Sequence, residues 1–437
     1  MKTHFVPSSL AQAHVDYSQP RAEDLSQLVQ VLRQPAVGFG KDSKPWRQRA
    51  VKAWHAVARE WEKWKFPEAE AVLAQLETNT RMSPPVLRES IANHFRVLEQ
   101  DALRDWLAEV QETRAEDETR MKYPPLAFLI ASGNIPGVVL QPLVQFSVLG
   151  IPTLIKSASS EPHMIPAVLE TLARHDADVA ARLVALTWPR EHSAATQAVL
   201  AASPQIVAFG DDDTMAKLQA QSGEAVLPFG DRCSAAIVHA AQVKLPTLRK
   251  LVYDYAMFDG KGCLSPQAIF VLAEEWEQVR QLALHLAGLL AEENKKWPAG
   301  NWSLAERALI QQWRGEWQAR AAGGELIALH QAEDTAWTVV AGDEFDLNER
   351  VAFRCVRLWW MKNFEEVMLV LKNYTTKLQA LAVDIDDEQH AKLALDLDEE
   401  EEVLGRIICE PGTLQRPFFS WMATNKRWFE LTYGVRL

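Results

Sequence analysis

The stretch DGKGCLSPQAIFV (259–271) sets Cys263 behind two glycines and a lysine, and ahead of a Ser-Pro and an apolar run. A thiol becomes a useful nucleophile when its thiolate is stabilised and accessible. Gly262 permits close backbone approach or unusual dihedrals, and Lys261 offers positive charge nearby. A helix is expected to end near Phe258 and a core strand to begin just after Pro266. The loop then springs from two rigid elements, which suits a reactive group. A lone cysteine is more often a small buried hydrophobe, so on these residues alone the packing reading stays open. Polar residues also close three other apolar runs: Asn134 in LAFLIASGN, Lys156 in GIPTLIKSASSEP, and Gly210–Asp213 in QIVAFGDDD. Taken singly, Asn134 reads as a turn residue and Lys156 as a solvated strand-end lysine.

Other chemistries find no carrier. There is no GxxxxGK[ST] phosphate loop, and no GxGxxG follows a strand. GFGKDS (38–43) lies in a helical context and lacks the third glycine. The eleven histidines show no HExxH or i, i+4 pairing, which argues against a histidine zinc centre. No GxSxG elbow occurs. The four cysteines, Cys233, Cys263, Cys355 and Cys409, form no CxxC, so no metal ligation or redox pair is signalled. Cys233 and Cys355 read as structural.

These residues need scaffolding, and 437 residues with 48% hydrophobic content suffice for two or three packed domains. A net charge of -12 argues against nucleic acid or an anionic membrane as the main partner. No apolar run approaches a membrane span, the N-terminus lacks a secretory pattern, and widely spaced cysteines suit a reducing compartment. A cytoplasmic protein is expected. Sixteen tryptophans read as core or interface anchors. The acidic segment 384–403 reads as a solvated face rather than a metal site.

Residues 1–120 carry apolar residues at helical spacing, notably at 46–64 and 85–117, and predict a helical region with no strong strand before Pro124. Short apolar runs then alternate with helical stretches through AVLPFGD, as in βαβ units with a parallel sheet. In such sheets ligands bind beyond the C-terminal strand ends, where Asn134, Lys156 and Gly210–Asp213 are expected. After Cys233 the alternation restarts as a second α/β domain.

The segments 131–162, 206–215, 227–238 and 259–271, in that order, resemble the aldehyde dehydrogenase superfamily, and within it the LuxC-type long-chain acyl-CoA reductases. The resemblance covers residues 120–275 well and both ends more loosely. It implies a Rossmann-type parallel-sheet cofactor domain (121–230), a second α/β catalytic domain carrying Cys263 (231–405), a helical N-terminal region packed on the cofactor domain (1–120) and a C-terminal tail (406–437). Cys263 matches the family's nucleophile and Asn134 its oxyanion-hole amide. Lys156 matches the lysine that reaches the cofactor ribose; Gly210 and Asp211 match the turn near the pyrophosphate. The implied activity is NAD(P)H-dependent reduction of an acyl thioester, on coenzyme A or an acyl-carrier protein, to a fatty aldehyde.

Departures from the family pattern refine this. Phe229 stands where oxidising aldehyde dehydrogenases carry the glutamate that activates the deacylating water, which favours thioester reduction. Ser159, three residues after Lys156, replaces a glutamate of many NAD-preferring members, so NADPH is expected, with NADH acceptable. Asp211–Asp213 bring three acids to the expected pyrophosphate turn unless they cap the helix and point away. The tail ICEPGTLQRPFFSWMATNKRW resembles the family's closing segment only in part. Two alternatives remain: an aldehyde- or semialdehyde-oxidising dehydrogenase of the same fold, and a non-catalytic scaffold member. Self-association or an acyl-transferring partner enzyme is a further expectation from the resemblance.

Overall fold

The computed structural model describes residues 1–34, 44–115, 123–203, 205–349, 353–398, 407–419 and 421. GFGKDS (38–43), the end of the acidic segment (399–403) and the tail beyond Trp421 lie outside the described residues.

The chain splits into two compact units. The first holds Met1–Thr80, Ile91–Asp231 and Phe418–Leu437. It opens with helices α1 (Ala22–Leu32), α2 (Lys44–Glu62), α3 (Ala69–Thr80), α4 (Pro84–Arg96, whose first turns go with the second unit) and α5 (Gln100–Ala115). Then strands and helices alternate: β1 (Ala127–Ile130), α6 (Leu140–Leu149), β2 (Thr153–Lys156), α7 (Met164–His175), α8 (Ala177–Ala180), β3 (Leu183–Leu186), α9 (Ser193–Ala202), β4 (Gln205–Phe209), α10 (Asp212–Ser222) and β5 (Val226–Phe229). Among the described residues the strands form one parallel sheet in the order β3-β2-β1-β4-β5. Its middle strand, AFLI, is buried throughout, which is why it reads as an unbroken apolar run rather than an alternating one.

The amphipathic N-terminal stretch packs on this sheet's helices, with tryptophans as anchors. Trp54 Nε1 donates to Ser147 Oγ on α6 at 2.8 Å, and Trp61 Nε1 to Thr171 Oγ1 on α7 at 3.1 Å. The indole N–H groups of Trp54 and Trp61 thus both find acceptors, so these two large rings are buried without leaving a donor unpaired.

The second unit holds Arg81–Ser90 and Arg232–Pro417. Its elements are β6 (Cys233–His239), α11 (Leu245–Ala256), β7 (Pro266–Leu272), α12 (Trp276–Glu293), α13 (Leu304–Ala322), β8 (Ala328–Gln331), β9 (Thr338–Gly342), β10 (Cys355–Met361), α14 (Phe364–Lys372), β11 (Leu378–Asp384), α15 (Asp387–Asp398) and β12 (Ile407–Cys409). The described strands run β12-β11-β6-β7-β10-β9-β8, parallel except for the β8–β9 hairpin. Arg314 clamps that hairpin, donating to Thr338 Oγ1 and to the carbonyls of Asp334 and Trp337.

Two boundaries differ from those drawn on the sequence. Residues 81–90 sit within a helical run yet join the second unit, because Tyr253 Oη donates to Glu89 at 2.9 Å and Phe258 N to Ser90 Oγ at 3.0 Å. The tail divides at 417/418. Gly412 and Gln415 bind Asp254 on α11, whereas the Phe419 carbonyl accepts from Gln145 on α6 at 3.0 Å. Such ties span more than a hundred residues and leave no local signal.

Candidate active site

In the first unit the expected ligand residues gather at the C-terminal edge of the sheet. Ala131 N donates to the Lys156 carbonyl at 3.0 Å, and Ser157 N to the Leu186 carbonyl at 2.8 Å, so the loops after β1, β2 and β3 are stitched together. Asn134 is exposed on the first of these loops. A Cβ on Gly133 beside it would lie 1.9 Å from Ser160 Oγ, so that hydroxyl would have to turn away to admit one. His94 supports the same loop from α4 through a hydrogen bond to the Pro136 carbonyl; burial lowers its pKa to about 4, so it is neutral.

The Lys156 side chain is half-buried, with Nζ 5.3 Å from the ring centroid of Trp188. Burial, then Arg190, pulls its ammonium below the usual lysine range, with Glu191 opposing. Trp188 is buried, stacked on Phe128 and anchored by a 3.0 Å bond from Nε1 to Thr196 Oγ1. Its carbonyl accepts from Ser159 Oγ at 3.5 Å. Lys156, Ser159 and Trp188 therefore form one cluster. Trp188 and Arg190 were not singled out from sequence; their only signal was their place just past a predicted strand, in ARLVALTWPR.

The Gly210–Asp213 turn is occupied by its own carboxylates. Asp211 caps α10, accepting from Thr214 N at 2.7 Å, and Arg190 approaches it at 3.4 Å. The Thr214 contacts hold its carboxyl below the usual range. Asp212 Oδ1 accepts from Asp231 N at 2.7 Å. A pyrophosphate at this helix end would meet carboxylates instead of free N–H groups. Gly210 and Asp211, expected at the turn near the pyrophosphate, build this capped turn. Lys156 and Ser159, by contrast, fit a hydroxylated or anionic group: a half-desolvated ammonium beside a hydroxyl, with no carboxylate ion-paired to Lys156 among the described residues.

Phe229 ends β5. It is 6% exposed, stacked on Phe209 at 4.6 Å and edge-on to Trp421 at 6.1 Å. The position holds an aromatic packing group and no base.

In the second unit, Cys263 lies half-buried on the turn between α11 and β7. Phe258, Asp259 and Gly260 are successive left-handed residues, with φ of 50, 53 and 74°. Two of them carry a Cβ, at a cost of about 1–3 kcal/mol each. Asp259 is buried against Arg354, with Arg354 Nε 2.7 Å from Asp259 Oδ1. Burial pushes the Asp259 carboxyl up, and Arg354 and then Lys261 oppose that. Past the turn, Ser234 Oγ on β6 donates to the Cys263 carbonyl at 2.7 Å, and Ser265 N to the Gly262 carbonyl at 3.0 Å. The Lys261 ammonium, expected to lend charge to the thiol, lies over Trp302 at 4.6 Å and Phe353 at 5.2 Å and pairs with Glu306 at 3.7 Å. Burial pulls it below the usual lysine range.

The remaining cysteines are poor candidates. Cys355 and Cys409 are pushed by burial to about 12 and about 11, and Cys233 is buried at the start of β6. The Cys355 and Cys409 thiols are therefore protonated, hence weakly nucleophilic, at neutral pH.

The model of the LuxC acyl-CoA reductase family matches residues 48–417. The chain belongs to this family. Family membership makes it an oxidoreductase acting on acyl or aldehyde groups. No curated protein matches the chain. Among solved structures it is similar to an oxidoreductase from Marinobacter aquaeolei, with TM-score 0.65 at 15% identity over 90% of this chain and 84% of that one. Succinic semialdehyde dehydrogenase from Streptococcus pyogenes, solved with NADP+, gives TM-score 0.64 at 12% identity over 89% and 86%. An aldehyde dehydrogenase of Mycobacterium tuberculosis, solved with NAD+, gives 0.61 at 13% over 90% and 83%. At such identities the likeness shows the aldehyde dehydrogenase fold. Among the described residues no helix is long and apolar enough to cross a membrane.

Proposed function

We propose that this LuxC-family protein reduces a fatty acyl thioester, on coenzyme A or an acyl-carrier protein, to a fatty aldehyde through an acyl-enzyme on Cys263. The Cys263 thiolate attacks the thioester carbonyl; a carbon–sulfur bond to the enzyme forms and the bond to the carrier breaks, releasing the carrier thiolate, which takes up a proton. The N–H of Cys263 and the amide of Asn134 are the proposed donors to the intermediate oxyanion. Removing one such donor typically costs about 2.7–4 kcal/mol of barrier. A nicotinamide cofactor, when bound, would supply a hydride to the acyl carbon; the carbon–sulfur bond to Cys263 then breaks, releasing the aldehyde and returning the Cys263 thiolate.

For that cofactor, Lys156 is the proposed ribose-side contact. Ser159, exposed and uncharged, tolerates a 2′-phosphate where a carboxylate would repel it, so NADPH is preferred and NADH accepted. The NADP+ and NAD+ bound in the two dehydrogenases above support this choice of cofactor class.

The observation that carries the reading is Phe229. A buried aromatic stack at the end of β5 offers no base to activate water. The acyl group on Cys263 therefore waits for hydride, which favours thioester reduction over aldehyde oxidation to an acid. The test is to mix the protein with butanoyl-, octanoyl- and hexadecanoyl-CoA without cofactor and map the adduct by mass spectrometry. An acyl mass on the Cys263 peptide is expected. No adduct with any of the three, or an adduct elsewhere in a protein that still reduces thioesters, overturns the assignment.

A further inference from the structure

Three successive left-handed residues stand just before Cys263, and backbone in that state persists only where its surroundings over-determine it. One residue supplies much of that determination. Arg354 donates from Nε to Asp259 Oδ1 at 2.7 Å, from its backbone N–H to the Asp259 carbonyl at 3.3 Å, and from Nη2 to the Ala256 carbonyl at 3.5 Å. Its Nη1 donates to Asn294 Oδ1 at 3.0 Å and to the Trp297 carbonyl at 2.6 Å, tying the turn to the end of α12. Arg354 is itself left-handed, with φ 56°, beside Phe353 at 60°. Both partners are buried and both sit on strained backbone.

A buried ion pair is weak evidence for stability, since apolar side chains of similar volume often serve as well or better. What an arginine adds is direction. Its planar fork sets several acceptors in fixed relation at once. Here the acceptors lie on the last turn of α11 and on the residue four before Cys263, while Ser234 fixes the Cys263 carbonyl from the other side. The turn is thereby specified on both flanks of the thiol.

We propose that the buried Asp259–Arg354 pair is a positioning device for Cys263, holding its thiol in the geometry for attack on the thioester. This rests on the reading of Cys263 as the nucleophile. Asp259 and Arg354 are positioning residues with no contact to substrate. Misplacing a nucleophile by an ångström can slow its reaction about a hundredfold without loss of binding.

The test is single-turnover acylation without cofactor, followed by rapid quench and mass spectrometry, using the same three acyl-CoAs. Arg354→Lys keeps the charge but loses the fork. Asp259→Asn/Arg354→Gln replaces both charges by neutral amides and leaves no lone buried ion. In both variants acylation at saturating thioester is expected to fall at least about tenfold, with the half-saturating concentration within about twofold of the unaltered protein. A purely structural pair would lower the melting temperature and leave that rate alone. Wild-type acylation in a folded variant overturns the proposal. So does a double variant that cannot fold, because the pair is then a folding element. No adduct in the unaltered protein takes down the nucleophile reading itself, which separates the two failures.

Discussion

The Ser234 hydroxyl on β6 donates to the Cys263 carbonyl oxygen at 2.7 Å, just ahead of β7, the strand paired with β6. Ser234 is fully buried, so its alternative partners are few. Ser234→Ala removes a donor whose net worth is about 1 kcal/mol. Denaturant unfolding is expected to register that loss, and acylation of Cys263 to slow by about three- to tenfold, since about 1.4 kcal/mol of barrier is tenfold in rate. Unchanged acylation would show that the Cys263 peptide is held without Ser234.

Phe229, packed between Phe209 and Trp421, makes a prediction about product. With acyl-CoA and no cofactor, the acyl-enzyme is expected to persist for minutes with little free fatty acid released. Chromatography of the quenched mixture measures this. Fatty acid released at a rate matching aldehyde formation would mean that water is activated by another group, and that oxidation is open to this fold.

Cofactor choice is tested at Ser159. Ser159→Glu places a carboxylate three residues past Lys156, where it would meet a 2′-phosphate at short range. KM for NADPH is expected to rise about tenfold or more while KM for NADH changes little. Lys156→Met should weaken both, because it removes the ammonium that lies over Trp188. Equal effects of Ser159→Glu on the two cofactors would place the 2′-position elsewhere.

Asp254 gives the protein a pH signature. Burial raises its carboxyl to about 8, opposed by the Gly412 N–H and then by Arg416. Its Oδ2 accepts from Gly412 N, and its Oδ1 has no partner among the described residues. An unfolded aspartate titrates near about 4, so between about pH 4 and about pH 8 the folded state holds a proton that the unfolded state has lost, and stability falls as pH rises across that window. Asp254→Asn should flatten this slope while keeping the Gly412 bond. Melting temperatures at about pH 6 and about pH 9 decide it. A variant as pH-sensitive as the parent would assign the effect to other groups.

Asn134→Ala tests the oxyanion assignment. Turnover is expected to drop about a hundredfold or more, with KM for the thioester nearly unchanged, as for a donor used only in the transition state. A rise in KM alone would make Asn134 a binding residue.

Sequence alone was sufficient for the alternation of strand and helix from Ala127 onward, because buried parallel strands must be apolar throughout and their helices amphipathic. It also placed Asn134 and Lys156 where apolar strands end, since a polar residue can close such a run only where the sheet meets solvent, and Cys263 on the loop between a helix and the next strand. Their order along the chain carried the family resemblance. Tertiary structure decided what holds them. Asp259 and Arg354 are 95 residues apart, and Gln415 reaches Asp254 across 161. Neither contact has a periodicity or motif, because a hydrogen bond between distant residues is fixed by how whole elements pack. The acids at Asp211–Asp213 make the same point in reverse. Their types suggested a clash with phosphate, and only the folded turn shows Asp211 spent on the α10 cap and Asp212 on the Asp231 N–H. A side chain's chemistry is written in its type, but which partner satisfies it is a property of the packed chain.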